Sequence, residues 1–468
     1  MSATSLPPGP RLPRAVQAGL MLRSWPRFVA GCRRRYGKVF TLRISGIGTL
    51  VYVDDPADIK AVFAGDPAIF HAGEANSMLA GLLGSSSVLV IDDDVHRERR
   101  RLVLAPFHRD AVARQAGVMA ELAAENIASW PVGSEFAVAP RMSQLTLEVI
   151  LRTVIGASDP QRLAELRAIM PKLLTLSAWQ TLAVANPKLQ RWRPWRAVRR
   201  HIAEADRLLY AEIADRRADP KLNERTDALA SMILAGAMTD SQLRDQLMTL
   251  LVAGHDTTAT ALSWALERLT RHPDVLRKAI RAAHASAAGD PAGDEYLDAI
   301  GKEVLRIRPV VFDVGRVLTA PTDVAGYRLP AGVMVAPGIG LVHASAESYP
   351  DPERFDPDRM IGATLGPTTW LPFGGGNRRC LGATFALAEL RIVLREVLRR
   401  VELATTTAPD ERQHVKAVIL VPHRGARILV KAVHAVASTP AAGEATAELP
   451  ARPAACPGAH RGTTQSSP

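Results

Sequence analysis

The sequence predicts a mainly α protein with a smaller β-rich region. Two blocks carry helical periodicity. From about residue 92 to 290 apolar residues recur at helical spacing, with Pro and Gly at the breaks. In residues 383–401, Phe385, Leu387, Leu390, Leu394, Leu398 and Val401 form one apolar face of an amphipathic helix. The β-like runs are short and lie outside these blocks.

Residues 1–14 are Pro-rich and expected to be extended. Val39–Ile44 and residues 49–53 alternate around Ser45-Gly46-Ile47-Gly48, which reads as a β-hairpin. A long helix is expected from about 241 to 270. Residues 320–337 hold short strands around the turn Pro330-Ala331-Gly332, and 350–360 is a polar meander punctuated by proline. Residues 415–421 and 426–430 read as two strands around Pro422-His423-Arg424-Gly425. The expected organisation is one domain over 15–433 and a tail, 434–468, rich in Ala, Pro, Gly, Ser and Thr and free of aromatics. Such a tail buries too little apolar surface to offset its ordering entropy, so disorder is expected.

The chain has 468 residues, 47% of them hydrophobic, enough for a large core. Its 58 Lys and Arg against 47 Asp and Glu give a net charge of +11, which favours acidic partners. No basic run interleaved with aromatics favours nucleic acid. Cys32, Cys380 and Cys456 are too few and odd in number for a disulfide framework and fit a reducing cytoplasm. The N-terminus lacks the basic and apolar regions of a signal peptide. No transmembrane anchor is expected, because residues 15–30 are interrupted by Arg23, Pro26 and Arg27.

Four constellations carry chemistry. The first is Phe373-Gly374-Gly375-Gly376-Asn377-Arg378-Arg379-Cys380-Leu381-Gly382, a glycine-rich loop that sets a cysteine just before a helix. The positive end of that helix is expected to lower the thiol's pKa, and the glycines to let backbone pass close to a flat partner. A lone cysteine is more often a small core residue. The second is Ala253-Gly254-His255-Asp256-Thr257-Thr258, a set of poor helix formers inside the long helix. An acid beside an alcohol can relay protons, and Thr hydroxyls can bend a helix by bonding to preceding carbonyls. The bland alternative is a Thr-rich buried helix with Asp256 paired structurally. His255 reads as a packing or solvent residue.

The third is Glu303 and Arg306, at i,i+3 on one helix face, with Arg354 in Pro352-Glu353-Arg354-Phe355 further on. Spacing alone favours an ordinary surface pair. The fourth is a set of cations: His96 and Arg100 at i,i+4, Arg316 after Phe312-Asp313-Val314-Gly315, and Arg378 two residues before Cys380. Individually each is more often a solvated charge.

Together these motifs resemble the cytochrome P450 family, over nearly the whole ordered chain and in the expected order. The resemblance implies a cytochrome P450 fold with haem b (iron protoporphyrin IX) between the long central helix and the cysteine-loop helix. It implies that Cys380 is the axial iron ligand and that Asp256 and Thr257 deliver protons. His96, Arg100, Arg316 and Arg378 would hold the propionates, and Phe373, Gly374 and Gly382 would shape the haem loop. Glu303, Arg306 and Arg354 would form a buried network behind it. The activity implied is a monooxygenase that inserts one atom of O2 into an apolar small organic substrate. Electrons would come from NAD(P)H through a separate ferredoxin or flavoprotein. The chain looks like the soluble, cytoplasmic, bacterial type, a monomer. Oxidative coupling, peroxide-driven oxidation and a non-catalytic haem sensor remain as alternatives. The pocket is expected around Ala253 and Thr257, residues 71–90 and 310–314, and 419–421, with Trp179, Trp192 and Trp195 in its roof. Asp313 would supply a polar contact or pair with an Arg.

Overall fold

The computed structural model describes residues 5–174, 188 and 195–435. The expected tail from residue 436 on, with Trp179 and Trp192, lies outside the described residues. The described residues belong to one compact unit. Its last part is tied down where the His434 N–H donates to the Arg400 carbonyl at 2.7 Å.

The longer helices are α1 (Arg14–Tyr36), α2 (Pro56–Ala64), α3 (Asp93–Leu104), α4 (Ala116–Ile127), α5 (Ala139–Val149), α6 (Pro160–Leu174) and α7 (Arg196–Ala218). They continue with α8 (Asp240–Arg271), α9 (Pro273–Ala287), α10 (Pro291–Ile307) and α11 (Ala383–Arg400). Helix α1 is broken at Ser24 (φ −163°), two residues before Pro26, because proline cannot complete the helical hydrogen bond. Helix α8 begins with a capping box: the Gln242 N–H donates to Thr239 Oγ1, and the Thr239 N–H to Gln242 Oε1. It runs through the main core, packed against α5, α7, α10 and α11. The hydroxyls of Thr257, Thr258 and Thr260 bond to the carbonyls four residues back, and every backbone step stays helical.

A five-stranded sheet has the order β1-β2-β8-β5-β3. Its strands are β1 (Val39–Ile44), β2 (Gly48–Val53), β3 (Phe70–His71), β5 (Arg316–Leu318) and β8 (Met334–Pro337). The expected hairpin is there, with Leu42 opposite Leu50 and Phe40 stacked on Tyr52 at 5.2 Å. Strand β4 (Glu135–Ala137) joins β12 (Arg427–Val433) and β9 (Val401–Leu403), and β6 (Thr322–Val324) pairs with β7 (Tyr327–Leu329). The strand expected over 415–421 is instead a hairpin of its own, β10 (Gln413–Lys416) and β11 (Ile419–Pro422), reversing at Ala417 (φ 52°) and Val418.

Two histidines buried far from solvent give this fold an acid limit. Burial holds the His255 imidazole down to about 4, Lys416 adding to the effect, and burial beside Arg306 holds His343 down to about 3. Both rings stay neutral in the folded chain while the unfolded chain protonates them below about 6.5. Their stabilisation is therefore complete above that pH and is lost as the pH falls toward 4. Urea unfolding is expected to show a loss of roughly 2–3 kcal/mol per histidine between pH 7 and 4.5, smaller in His255→Gln. Stability that stays flat across that window would contradict it.

Candidate functional site: a buried cysteine loop beneath the central helix

The cysteine loop is shaped by contacts made before any partner arrives. Gly374 (φ 64°) and Gly376 (φ 65°) take a backbone conformation that side chains rarely adopt, and the Cys380 N–H closes the loop on the Phe373 carbonyl at 2.9 Å. Phe373 stands edge-on to Trp370 at 5.8 Å, and Trp370 Nε1 donates to the Lys302 carbonyl of α10 at 3.2 Å. The glycines divide the work differently from the expectation. A Cβ at Gly375 or Gly376 would strike Phe63 of α2, so these two answer to packing within the protein. A Cβ at Gly382 would meet nothing within 4 Å, and one at Gly374 only Val314 at 4.0 Å, so these two border open space.

Cys380 sits two residues ahead of the Gly382 cap of α11. Protein surrounds it closely, yet its surface is exposed, so it faces an internal opening. The thiol is not lowered as the helix end suggests. Burial pushes it up, and the Gly382 N–H, Arg100 and Arg379 pull the other way without winning.

All four expected cations converge. Burial pulls the His96 imidazole down to about 4, and Arg378, Arg100 and Arg316 act on it in the same direction. Arg100 Nη2 donates to the Arg379 carbonyl at 2.6 Å. Arg378 donates to the carbonyls of Val88 (3.2 Å) and Ile91 (2.5 Å) and pairs with Asp92. Arg316 is only 5% exposed, and its hydrogen bond is to the neighbouring Gly315 carbonyl at 2.8 Å. Among the described residues no carboxylate forms an ion pair with Arg316. Burial and Arg378 push its guanidinium down to about 10. A buried cation in this state calls for an anion.

Helix α8 is buried along most of its length but opens over one stretch. Ala253 is exposed there, and Leu250, Val252, Gly254, Asp256 and Thr257 are half-buried. A Cβ at Gly254 would lie 2.7 Å from Ile150 Cδ1, the movable end of a side chain in the π-helical turn after α5, which would have to shift. Asp256 and Thr257 part company. Asp256 Oδ2 accepts from Lys416 Nζ at 2.7 Å, while Thr257 Oγ1 donates to the Ala253 carbonyl at 2.8 Å. His255 is a packing residue, as expected: Nε2 lies 3.0 Å from Ser143 Oγ. Among the described residues no arginine pairs with Asp313. It accepts from Tyr52, which accepts in turn from Trp25, and burial pushes its carboxyl up to about 7. Phe312 and Leu420, expected in the pocket, are buried in the core beside the sheet.

Glu303 and Arg306 are fully buried and joined by two bonds of 2.7 Å. Arg306 also donates to the carbonyls of His343 (2.9 Å), Pro352 (2.8 Å) and Arg354 (3.2 Å). His343 Nε2 accepts the Leu371 N–H at 2.9 Å, carrying the network to the base of the cysteine loop. Arg354 is not the third charge. Its side chain is 70% exposed and pairs, among the described residues, with Asp356 at 3.9 Å, and it enters the network through its carbonyl. Arg359 takes the place, 15% exposed, with Nε 3.3 Å from Glu303 Oε1. The loop between them brings residue 359, not 354, over the buried carboxylate. Sequence reasoning missed Arg359, His343 and Lys416. Only Arg359, in the same meander as Arg354, carried any signal.

A family model described as Cytochrome P450 matches residues 7–430. The chain belongs to the cytochrome P450 family. Relatives include a Mycobacterium tuberculosis protein under the provisional name cytochrome P450 135B1, 69% identical over 99% of this chain and 98% of its own. Another from the same organism, provisionally cytochrome P450 135A1, is 40% identical over 91% and 95%. Among solved structures, a retinoic acid-bound cyanobacterial CYP120A1 shares the fold, with TM-score 0.79 and 23% identity over 92% of this chain and all of the other. As a P450 the chain is a haem-thiolate monooxygenase that uses O2 and an electron donor. Its residues fit the haem. A cysteine facing an internal opening, bordering glycines with room beside them, and an unpaired buried Arg316 suit a flat, iron-bearing dianion. No helix among the described residues is long and apolar enough to cross a membrane.

Proposed function

We propose that this P450 oxygenates an apolar small organic molecule, with electrons passed from NAD(P)H by a separate ferredoxin or flavoprotein. The observation that carries the reading is the cysteine loop itself: an accessible Sγ in a deep opening, flanked by four converging cations. Cys380 is the thiolate ligand of the iron. His96, Arg100, Arg316 and Arg378 hold the propionates, Arg316 gaining the counter-anion it lacks. Phe373, Gly374 and Gly382 shape the bed on which the ring lies. When bound, the haem supplies the iron at which O2 is activated, and the thiolate's electron donation favours O–O cleavage. Asp256 takes up protons and Thr257 passes them into the site. Glu303, Arg306 and Arg359 hold the loop's base rigid, so that Sγ keeps its aim.

The substrate's apolar class is supported by the apolar character of the segments expected at the pocket, in which Ala253 is exposed and Leu79 and Val311 are half-buried. The acidic donor is supported by the net charge of +11 and by exposed Arg379 in the cysteine loop itself. A binding-spectrum screen of a metabolite library, reading displacement of iron-bound water, tests the first point. Apolar compounds are expected to dominate the hits, and a set confined to hydrophilic acids would refute the reading. For the substrate so found, Thr257→Ala is expected to divert consumed oxygen from product to peroxide by about tenfold or more. Unchanged coupling would remove Thr257 from the relay.

A further inference from the structure

We propose that Asp313 is a substrate-binding residue, and that the substrate is an apolar molecule carrying a positively charged amine, which the Asp313 carboxylate anchors. The proposal rests on the reading that the opening Cys380 faces takes an apolar molecule, and it names the one polar group that molecule carries. It is carried by a carboxyl that borders the opening without a cation to neutralise it. Asp313 shows the same two properties as Cys380: protein surrounds it closely, yet part of its surface stays open. Its neighbours place it. Val314, next in the chain, stands 4.0 Å from the point where Gly374 of the cysteine loop would carry a Cβ. Arg316, further along the same stretch, acts on His96 among the four converging cations. Residues 313–316 therefore run along one side of the space that Cys380 faces.

The carboxyl is held in place from the sheet side. It accepts from the Tyr52 hydroxyl of β2, and Trp25 Nε1 of α1 donates to that hydroxyl at 3.1 Å. Tyr52 has zero exposure, and Trp25 packs on Phe312 with ring centroids 6.0 Å apart. Neither aromatic brings a charge, and among the described residues no Lys or Arg pairs with Asp313. A carboxylate offers about four acceptor sites, so these donors leave room for a ligand.

A carboxyl is poorly suited to any task here except holding a cation. Fixing Tyr52 needs only an amide oxygen. Binding an alcohol needs only a serine, which is buried at far smaller cost than a charge. Burial pushes the Asp313 carboxyl up to about 7, so much of its charge is lost near neutrality. An ammonium brought by a ligand restores that charge, and close charge pairs couple strongly where water is excluded. The adjoining Val310, Val311, Phe312 and Val314 are apolar. One fixed polar point in an apolar wall selects one polar group on an apolar body.

The test uses the holoenzyme and two series of probes, decyl and adamantyl, each as the trimethylammonium, the alcohol and the carboxylate. A quaternary nitrogen has no lone pair, so it does not ligate iron. Affinity is read from the displacement of iron-bound water in the Soret band and, independently, by calorimetry. In the native protein the cations are expected to bind about tenfold or more tightly than the alcohols, and the carboxylates most weakly. That comparison needs no variant. Asp313→Asn keeps an oxygen for Tyr52, and in it cation and alcohol should bind almost equally, with the alcohol's affinity unchanged. The native preference should grow as the pH rises from about 6 to about 8 and the carboxyl ionises, and should be flat in Asp313→Asn. Tyr52 on β2 and Cys32 on α1 are the titratable groups in this cluster, and burial pushes both up, away from that window. Equal binding of cation and alcohol to the native protein in both series would overturn the anchor, as would a preference that survives in Asp313→Asn. Either result leaves the apolar opening standing. Binding by none of the six probes would instead overturn the apolar reading, and the anchor with it.

Discussion

Reduced Cys380→Ala protein exposed to carbon monoxide is expected to lose the thiolate-type spectrum altogether while keeping its fold. The loop around Cys380 is held by backbone, by the bond from its N–H to the Phe373 carbonyl and by the positive φ of Gly374 and Gly376. An alanine preserves all of that. The side chain faces an opening rather than a packed core, so its loss leaves no cavity for neighbours to fill. Unfolding free energy should therefore change by less than about 1 kcal/mol. The spectrum should change completely, because no other side chain stands in the same loop to donate sulfur. A native spectrum in this variant would refute the axial assignment.

Arg306→Leu is expected to damage the protein most among substitutions away from the opening. It would strand the Glu303 carboxylate at zero exposure, together with three carbonyls that now receive guanidinium bonds. Breaking a buried pair in this way costs about 3–5 kcal/mol, against a total stability of about 5–15 kcal/mol. Little soluble, haem-loaded protein is expected, read as the ratio of haem to protein absorbance. Arg359→Ala should fall between, since that residue pairs with Glu303 from a more open position. Arg354→Ala should stay within about 0.5 kcal/mol of the native chain, as an exposed charge does. If Arg354→Ala proved as harmful as Arg306→Leu, the exchange of roles between 354 and 359 would be wrong.

What could be read in the sequence follows from how local each signal is. The hairpin at Val39–Ile44 and Gly48–Val53 declared itself by alternation and by its glycine turn. Helices α8 and α11 did so by periodicity. The second hairpin stayed hidden because Ala417, not Gly or Asn, takes the positive φ at its reversal. Long-range pairings left no local trace. Nothing in the sequence near Lys416 points to Asp256, 160 residues away. The role of Gly375 and Gly376 was misread because their partner, Phe63, lies at the other end of the chain. The thiol of Cys380 was misjudged for a similar reason. The helix end is a local effect and visible, whereas burial depends on the whole fold and outweighs it.

The contact between Phe63 and the two glycines also orders events during synthesis. Residues 63 and 376 leave the ribosome far apart in time, and the cysteine loop cannot settle until α2 is in place to receive it. Nearly the whole polypeptide must be made before its iron ligand has a fixed position. A nascent chain truncated before residue 371 can form much of the helical core yet has no means of capturing haem, so cofactor loading is confined to the finished chain.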